Sequence, residues 1–309
     1  MSVRHVVFGS GAIGLALVDA LRSRGESRIR VVNRSGSAPV PDGVEVVRGD
    51  AADPAFATRV AEGARVVYQV LNPGYHEWVD RFPALQAGVL AAAEAAGARI
   101  VSLENVYMYG HAAGSAFTED RPHAAHTVKG KLRGRMADDL LAAHTAGRVE
   151  VAIGRASDYY GPRGGAQSNL GDRVFRSVLK GKSASVLGDP DQPHTYTYVP
   201  DIGAGLAILG EHPVAAGQVW HLPNDPAEKT TRELVNLAYA AAGTSGAVRS
   251  VPDLVLWALG VVNPTVRELR EMRYEFEEPF IVDSTKIAQL GARATPYEDG
   301  ITQTLEGYR

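Results

Sequence analysis

The stretch VVFGSGAIGLALVDAL, residues 6–21, reads as a buried strand, a glycine turn and the opening of a helix. Val6, Val7 and Phe8 are apolar without alternation, as expected of a parallel strand covered on both faces. Gly9-x-Gly11-x-x-Gly14 follows directly, and the Ala- and Leu-rich run behind it has helical spacing. Alone the three glycines are a weak signal, since small residues mark any sharp strand-to-helix turn. Here they have a strand before them, a helix after them and a second strand near residue 30, which is the context of a dinucleotide site. Gly9 would permit the tight turn, Gly11 a close approach of backbone to pyrophosphate, and Gly14 close packing of helix on strand. The helix N-terminus, with Ser10, Ala12 and Ile13 around it, would receive the phosphate charge.

The same alternation continues outward. HVVF (5–8), IRVV (29–32), VEVV (44–47), RVVYQV (65–70), RIVSL (99–103) and VEVAI (149–153) are β-branched runs bounded by turn residues. Between them, residues 12–22, 54–62, 77–96 and 127–144 carry helical spacing. Strand and helix in turn imply right-handed crossovers and an α/β fold with a doubly wound parallel sheet of Rossmann type. After GPRGG (161–165) the pattern becomes irregular. Helices are expected near 170–179, 201–209, 230–242 and 252–259, and strands at HTYTYV (194–199) and QVWHL (218–222). Residues 1–163, with returns near 194–222, are therefore expected to form the dinucleotide-binding domain. Residues 164–309 mainly form a smaller, interleaved C-terminal substrate lobe.

Composition narrows the partners. The 309 residues are 45% hydrophobic and carry a formal net charge of −3, enough chain for a substantial core and no global field for nucleic acid or anionic lipid. The absence of cysteine excludes disulfides and thiolate-bound metal and fits a reducing, cytoplasmic compartment. The N-terminal apolar run is too short for a signal peptide, and Gly, Arg or Asp interrupts every longer one, so no membrane span is expected. The basic run around AAHTVKGKL (124–132) splits on a helix, with Lys131 and Arg135 on one face and Lys129 and Arg133 almost opposite. One continuous nucleic-acid stripe is thereby disfavoured. His111, His123 and His126 lack ligand spacing with carboxylates, so no metal site is expected. A small-molecule substrate remains, with a monomer or a homodimer.

The end of the second strand selects the cofactor. A site for NAD usually places a carboxylate there for the ribose 2′-hydroxyl, whereas this chain has Asn33, Arg34 and Ser35. A carboxylate would repel a 2′-phosphate; a guanidinium pairs with it and a serine donates to it, which favours NADP(H). The alternative for Arg34 is a solvated loop arginine. Asp50 and Ala51, after the third strand, are placed at the adenine edge, with a helix-capping Asp as the other reading of this stretch, a role that Asp53 before Pro54 also suits. Gln69, Val70 and Leu71, and Ala156 and Ser157, complete the expected cofactor contacts.

Further landmarks occur in order: VYMYG (106–110), TED (118–120), a helix with Lys131, RASDYYGP (155–162) and HTYTYVPD (194–201). With them, most of the chain resembles the extended short-chain dehydrogenase/reductases, the NDP-sugar epimerase/dehydratase group. That group works with a Ser or Thr, a Tyr, and a Lys four residues after the Tyr. The resemblance puts Asn105 at the Ser or Thr position, Thr127 at the Tyr position and Lys131 at the Lys position, where it would bond the nicotinamide ribose. Asp158 replaces an Asn of the Gly-Pro element, and His194 stands where sugar-nucleotide enzymes tend to have a phosphate-binding Arg.

A threonine hydroxyl is too weak an acid or base to replace the phenol directly. Oxidation of an unactivated alcohol suffers most from that loss, and ketone reduction least, because the proton can come from water, another side chain or the substrate's own phenol. An epimerase-like body without the Tyr is similar to atypical ketoreductases of aromatic polyketides. The expected activity is thus NADPH-dependent reduction of a ketone on a bulky, aromatic, polyketide-like metabolite. The alternatives are an NDP-sugar epimerase or dehydratase with an unusual base, and a non-catalytic NADP(H)-binding regulator. Asn105, Thr127 and Lys131 are the candidate catalytic residues. Asn105 could equally brace a loop and Thr127 cap its helix. Tyr107, Tyr109, Tyr159 and Tyr160 are alternative phenol donors whose other reading is core packing, and Tyr75, Trp78 and Trp220 are candidates to line an apolar pocket, with core packing again the default. His126 is a candidate cleft acid.

Overall fold

The computed structural model describes residues 4–165, 168–262 and 264–309. Seven parallel strands form the central sheet: β1 (His5–Phe8), β2 (Ile29–Asn33), β3 (Glu45–Arg48), β4 (Val66–Gln69), β5 (Arg99–Glu104), β6 (Val151–Arg155) and, late in the chain, a strand at Gln218–His221. The order across the sheet runs from Gln218–His221 through β6, β5, β4 and β1 to β2 and β3. The chain winds outward from β1 to β3, then returns to the other side of β1 with β4. That reversal opens a crevice at the carboxyl ends of β1 and β4, the position where open α/β sheets bind ligands.

The continuous apolar strands bury both faces of the sheet, as parallel strands must. On one face lie α2 (Pro54–Val60), α3 (Trp78–Ala96) and α4 (Val128–Thr145), packed on Val6, Phe8, Val67, Ile100 and Ile153. On the other lie α1 (Ala12–Ser23) and a helix at Val199–Glu211, packed on Val7, Val31, Tyr68, Val101 and Ala152. Asp53 caps α2 by accepting hydrogen bonds from the amides of Ala55 and Phe56 ahead of Pro54, so the capping role falls to this residue.

The rest of the chain builds the second lobe. It holds β7 (Asp158–Tyr160), α5 (Asp172–Leu179), β8 (Ala184–Val186), β9 (Tyr196–Tyr198), α7 (Thr231–Ala242), β11 (Val248–Ser250), α8 (Asp253–Val262), α9 (Pro264–Leu269) and α10 (Tyr297–Glu306), while α6 (Val199–Glu211) and β10 (Gln218–His221) go back to the main sheet. The segment expected to form a strand at 194–199 keeps only β9, which pairs with β7 in a sheet of two. The return to the main sheet is made by β10, beside β6. Tyr160, Tyr196, Tyr198 and Tyr297 fill the core of this lobe with Phe175 and Leu234. Among the described residues no helix is long and apolar enough to cross a membrane.

Candidate active site

A cleft of about 590 Å³ runs along the carboxyl edge of the sheet from the glycine turn to β5. Its floor is the loop 9–14. Gly9 has φ +117° and an added Cβ would lie 2.7 Å from the Val70 carbonyl oxygen, so only glycine fits the turn. At Gly14 the added atom would lie 2.2 Å from the Gly9 oxygen, whereas at Gly11 it would meet nothing within 4 Å. Gly14 is thus a packing glycine and Gly11 an open cradle. Ser10, Ala12 and Ile13 line the same wall, and so do Val70, Leu71, Ala156 and Ser157.

Arg34 is exposed at the mouth of the cleft, beside Asp50 and Ala51. Asn33 and Ser35 are otherwise engaged. The Asn33 amide donates to Ser10 Oγ at 2.8 Å and to the Ser37 carbonyl, while its oxygen accepts from Ser35 Oγ and from the Gly36 amide. These two residues brace the turn after β2 against the glycine loop, which leaves Arg34 as the group presented to a ligand. Asp50 accepts from the Ala52 amide and pairs with Arg81 at 3.1 Å. Gln69 lies inside the sheet, donating to Gln86 and Ser102, and does not reach the cleft, because its strand position points toward α3.

The inner end of the cleft departs most from expectation. Lys131 is exposed on the outer face of α4 and does not line the cleft. Thr127 is the N-cap of α4, its hydroxyl accepting from the Gly130 amide at 3.0 Å, and it too lies outside the cleft. The residues four apart that face inward are Lys129 and Arg133. A two-residue shift rotates a helical position by about 200°, so the frame set on Lys131 selects the solvent face. Arg133 lines the cleft, its guanidinium lies 4.6 Å from the Phe82 ring centre, and it donates to the Leu103 carbonyl. Lys129 is buried and paired with Glu268 of α9 at 2.5 Å and with Glu271 at 2.6 Å.

Asn105 does line the cleft, its oxygen accepting from the Tyr107 amide at 3.3 Å. Beside it sit Tyr75 and Tyr107, whose hydroxyls are 2.7 Å apart. Burial pushes both phenols above their ordinary range, so each stays protonated. Tyr159 also lines the cleft, and burial with the nearby Asp158 pushes it up to about 12. Tyr109 lies beneath, bonded to Arg155 and His221, and Tyr160 belongs to the second-lobe core. Trp78 lines the cleft, whereas Trp220 is a core residue donating to the Ala215 carbonyl. His126 is exposed and stacked on His111 and against Tyr274. It is therefore not a cleft acid.

His194 is also structural. It is buried between Phe276 and Phe280, its Nε2 2.9 Å from Asp158 and its Nδ1 3.1 Å from the Glu275 carbonyl oxygen. The Glu275 side chain lies close by, and burial with the Asp158 charge raises its pKa well above the usual carboxylate value. A carboxyl raised in the folded state contributes stability that is complete below its unfolded pKa, near 4.5, and is lost as pH rises toward the folded value. Glu275→Gln is accordingly expected to melt higher than the wild type at pH 8. The gap should close toward pH 4, as read by thermal unfolding across that range. A gap that widens on acidification would exclude this origin.

Three polar atoms in cleft-lining residues lack a hydrogen-bond partner: Glu104 Oε1, Arg133 Nε and Ser157 Oγ. All three are closed off from solvent, so the feature that fits the phosphates of a dinucleotide is the open cradle at Gly11, at the N-terminus of α1. Sequence reading missed Glu104 and Arg133. Glu104 ends the apolar strand RIVSLE and Arg155 ends VAIGR, and the register that pairs them is visible only once the two strands are side by side.

The fold and cleft are those of an extended Rossmann-type chain, with the crevice at the carboxyl edge of its parallel sheet. The chain belongs to the NAD dependent epimerase/dehydratase family, whose model matches residues 6–222. A dTDP-glucose 4,6-dehydratase of Streptomyces griseus is 27% identical over 219 residues, covering 68% of this chain and 58% of that protein's length. Among solved structures, a dTDP-glucose 4,6-dehydratase from Bacillus anthracis in complex with NAD superposes with a TM-score of 0.80 at 16% identity, over 99% of this chain and 96% of that one. A UDP-glucose 4-epimerase from Thermotoga maritima with UDP-glucose gives 0.79 at 17% identity, over 99% of both chains. These structural likenesses concern the fold.

Proposed function

We propose that the protein binds a nicotinamide dinucleotide along the cleft and oxidises a carbinol carbon of a sugar nucleotide or reduces the corresponding carbonyl, in the manner of an epimerase or dehydratase but without a tyrosine base on α4. The observation that carries this reading is the continuity of the cleft, from the open cradle at Gly11 to Arg133 and Glu104. The activities of the relatives supply the substrate class. When bound, the cofactor accepts or returns a hydride. The chain's own residues cradle the phosphates at residues 9–14, hold the turn after β2 through Asn33, and close the inner end with Trp78, Phe82 and Tyr107. Arg133 stands on the inward face of α4, where the family's lysine would stand if the register is set on Lys129 and Arg133.

Reduction of a bulky hydroxyaryl ketone is the second reading, favoured by the protonated phenols of Tyr75 and Tyr107. A phenol held above its ordinary pKa stays protonated at neutral pH, so it can donate a hydrogen bond to a ketone oxygen but is not available as a phenolate base for oxidation. The test is to incubate the protein with each cofactor and with two panels, NDP-sugars and hydroxyaryl ketones, and to follow products by mass spectrometry. Conversion of an NDP-sugar supports the first reading and conversion of a ketone alone the second. Tight cofactor binding with no turnover of either panel would make the protein a binding regulator.

The cofactor preference proposed is NADP(H), on Arg34, an exposed guanidinium with no carboxylate at the end of β2. Arg34→Gln is expected to weaken NADPH binding about tenfold while leaving NADH within about twofold, measured by fluorescence titration. Equal loss for both cofactors would remove the 2′-phosphate from the explanation.

A further inference from the structure

Asp158 lines the cleft beside Tyr159 with its side chain 20% exposed, and the chemistry proposed above gives it no role. Its charge reaches the phenols of Tyr75 and Tyr107, which places it at the inner end of the cleft. Behind it His194 is buried between Phe276 and Phe280, where no ligand touches it. The two side chains meet at 2.9 Å, His194 Nε2 to Asp158 Oδ2. The other side of the ring fixes what lies between those atoms. His194 Nδ1 is 3.1 Å from the Glu275 carbonyl oxygen, and a carbonyl only accepts, so Nδ1 carries a proton. A neutral imidazole has one N–H, which would leave a bare Nε2 lone pair against the Asp158 oxygen. The contact is a hydrogen bond only if the pair holds one proton more. An imidazole is a stronger base than a carboxylate, so this proton rests on His194. Burial and the Asp158 charge favour the neutral form of the Glu275 carboxyl, which leaves Asp158 as the carboxylate that answers the imidazolium.

We propose that Asp158 and His194 hold and deliver the proton of the redox step, Asp158 as the catalytic group that meets the substrate and His194 as the positioning residue behind it. This rests on the cofactor-dependent redox reading above. In reduction of a carbonyl, hydride reaches the carbon while Asp158 passes a proton to the oxygen, and the Nε2 proton of His194 replaces the one given up. The pair ends as a neutral imidazole beside a carboxylate, and water entering the cleft restores its proton. Oxidation of a carbinol runs the exchange backwards, the O–H proton going onto the pair as the C–H leaves as hydride. No phenol on α4 is then needed.

Nitrogen NMR of the histidines at neutral pH reads the pair directly, with His194 identified by its contacts to the Phe276 and Phe280 rings. The wild type is expected to carry protons on both nitrogens of His194. In Asp158→Asn the ring should be neutral with its proton on Nδ1, because the new amide donates to Nε2. A neutral His194 in the wild type overturns the proposal, whether or not the variant folds. Asp158→Asn keeps the shape of the side chain, so the melting temperature should hold. Its affinity for NADPH should stay within about twofold of the wild type, while turnover of whichever substrate the wild type converts falls about 100-fold. Undiminished turnover in a folded Asp158→Asn also overturns the proposal. The NMR result is read even if the wild type converts no substrate, so failure of the function proposed above and failure of this one give different results.

Discussion

Arg155→Met is expected to destabilise the folded chain by about 3–5 kcal/mol, the cost of leaving a buried charge without its partner. Arg155 is almost fully buried at the end of β6 and makes three side-chain bonds: to Glu104 Oε2 at 3.1 Å, to the Tyr109 hydroxyl at 2.8 Å and to His123 Nε2 at 3.1 Å. Its guanidinium also lies 5.0 Å from the Tyr109 ring centre. Methionine fills much of the same volume, so the loss reports charge and hydrogen bonding more than packing. Without Arg155, neither oxygen of Glu104 keeps a hydrogen bond, since Oε1 already has none. Arg133, 4.0 Å away, is then its remaining counter-charge. Urea unfolding at neutral pH measures the effect. Adding Glu104→Gln should recover part of the loss, because the uncompensated charge disappears with it. A single-variant loss below about 1 kcal/mol would mean that Glu104 is compensated without Arg155.

The same ion pair shows what could be read from the chain and what could not. The alternation of apolar strands with helices places β1 to β6 nearly residue for residue, because burial on both faces leaves long uninterrupted apolar runs. The glycine turn is equally legible, since its three positions answer to local geometry. The phase of α4 is not carried by a motif. Registering the helix on Lys131 puts the functional face toward water, although Leu132, Met136 and Leu140 mark the buried side that holds Lys129 and Arg133. Apolar phase was the better guide there, because it follows the packing that fixes the helix. Glu104 was hidden for another reason. A charged residue at a strand end reads as the start of a solvated loop, and only the register with Arg155 makes it a buried pair. The short strands of the second lobe, three residues each in β7, β8, β9 and β11, are too brief for periodicity to locate.

Gly11→Ala and Gly14→Ala are expected to fail in opposite ways, and the contrast tests where a cofactor's phosphates lie. At Gly14 an added methyl would sit 2.2 Å from the Gly9 oxygen and 2.9 Å from its carbonyl carbon, both backbone atoms that cannot swing aside. Helix α1 must then move off the loop, at a cost of about 1–3 kcal/mol of stability. At Gly11 the backbone is extended, with φ −71° and ψ −173°, a conformation alanine adopts without strain. The added methyl meets no protein atom within 4 Å, so the stability of Gly11→Ala should stay within about 0.5 kcal/mol of the wild type. That empty space is the cradle. A methyl placed there holds a pyrophosphate away from the first amides of α1 and weakens bonds worth about 1.5–3 kcal/mol each. Cofactor affinity should therefore fall on the order of 10- to 100-fold in Gly11→Ala while its melting temperature holds, and in Gly14→Ala both should drop. Unfolding curves and fluorescence titrations with NADPH on the two variants decide the matter. A stable Gly11→Ala that binds the dinucleotide as tightly as the wild type would remove the glycine loop from the phosphate site.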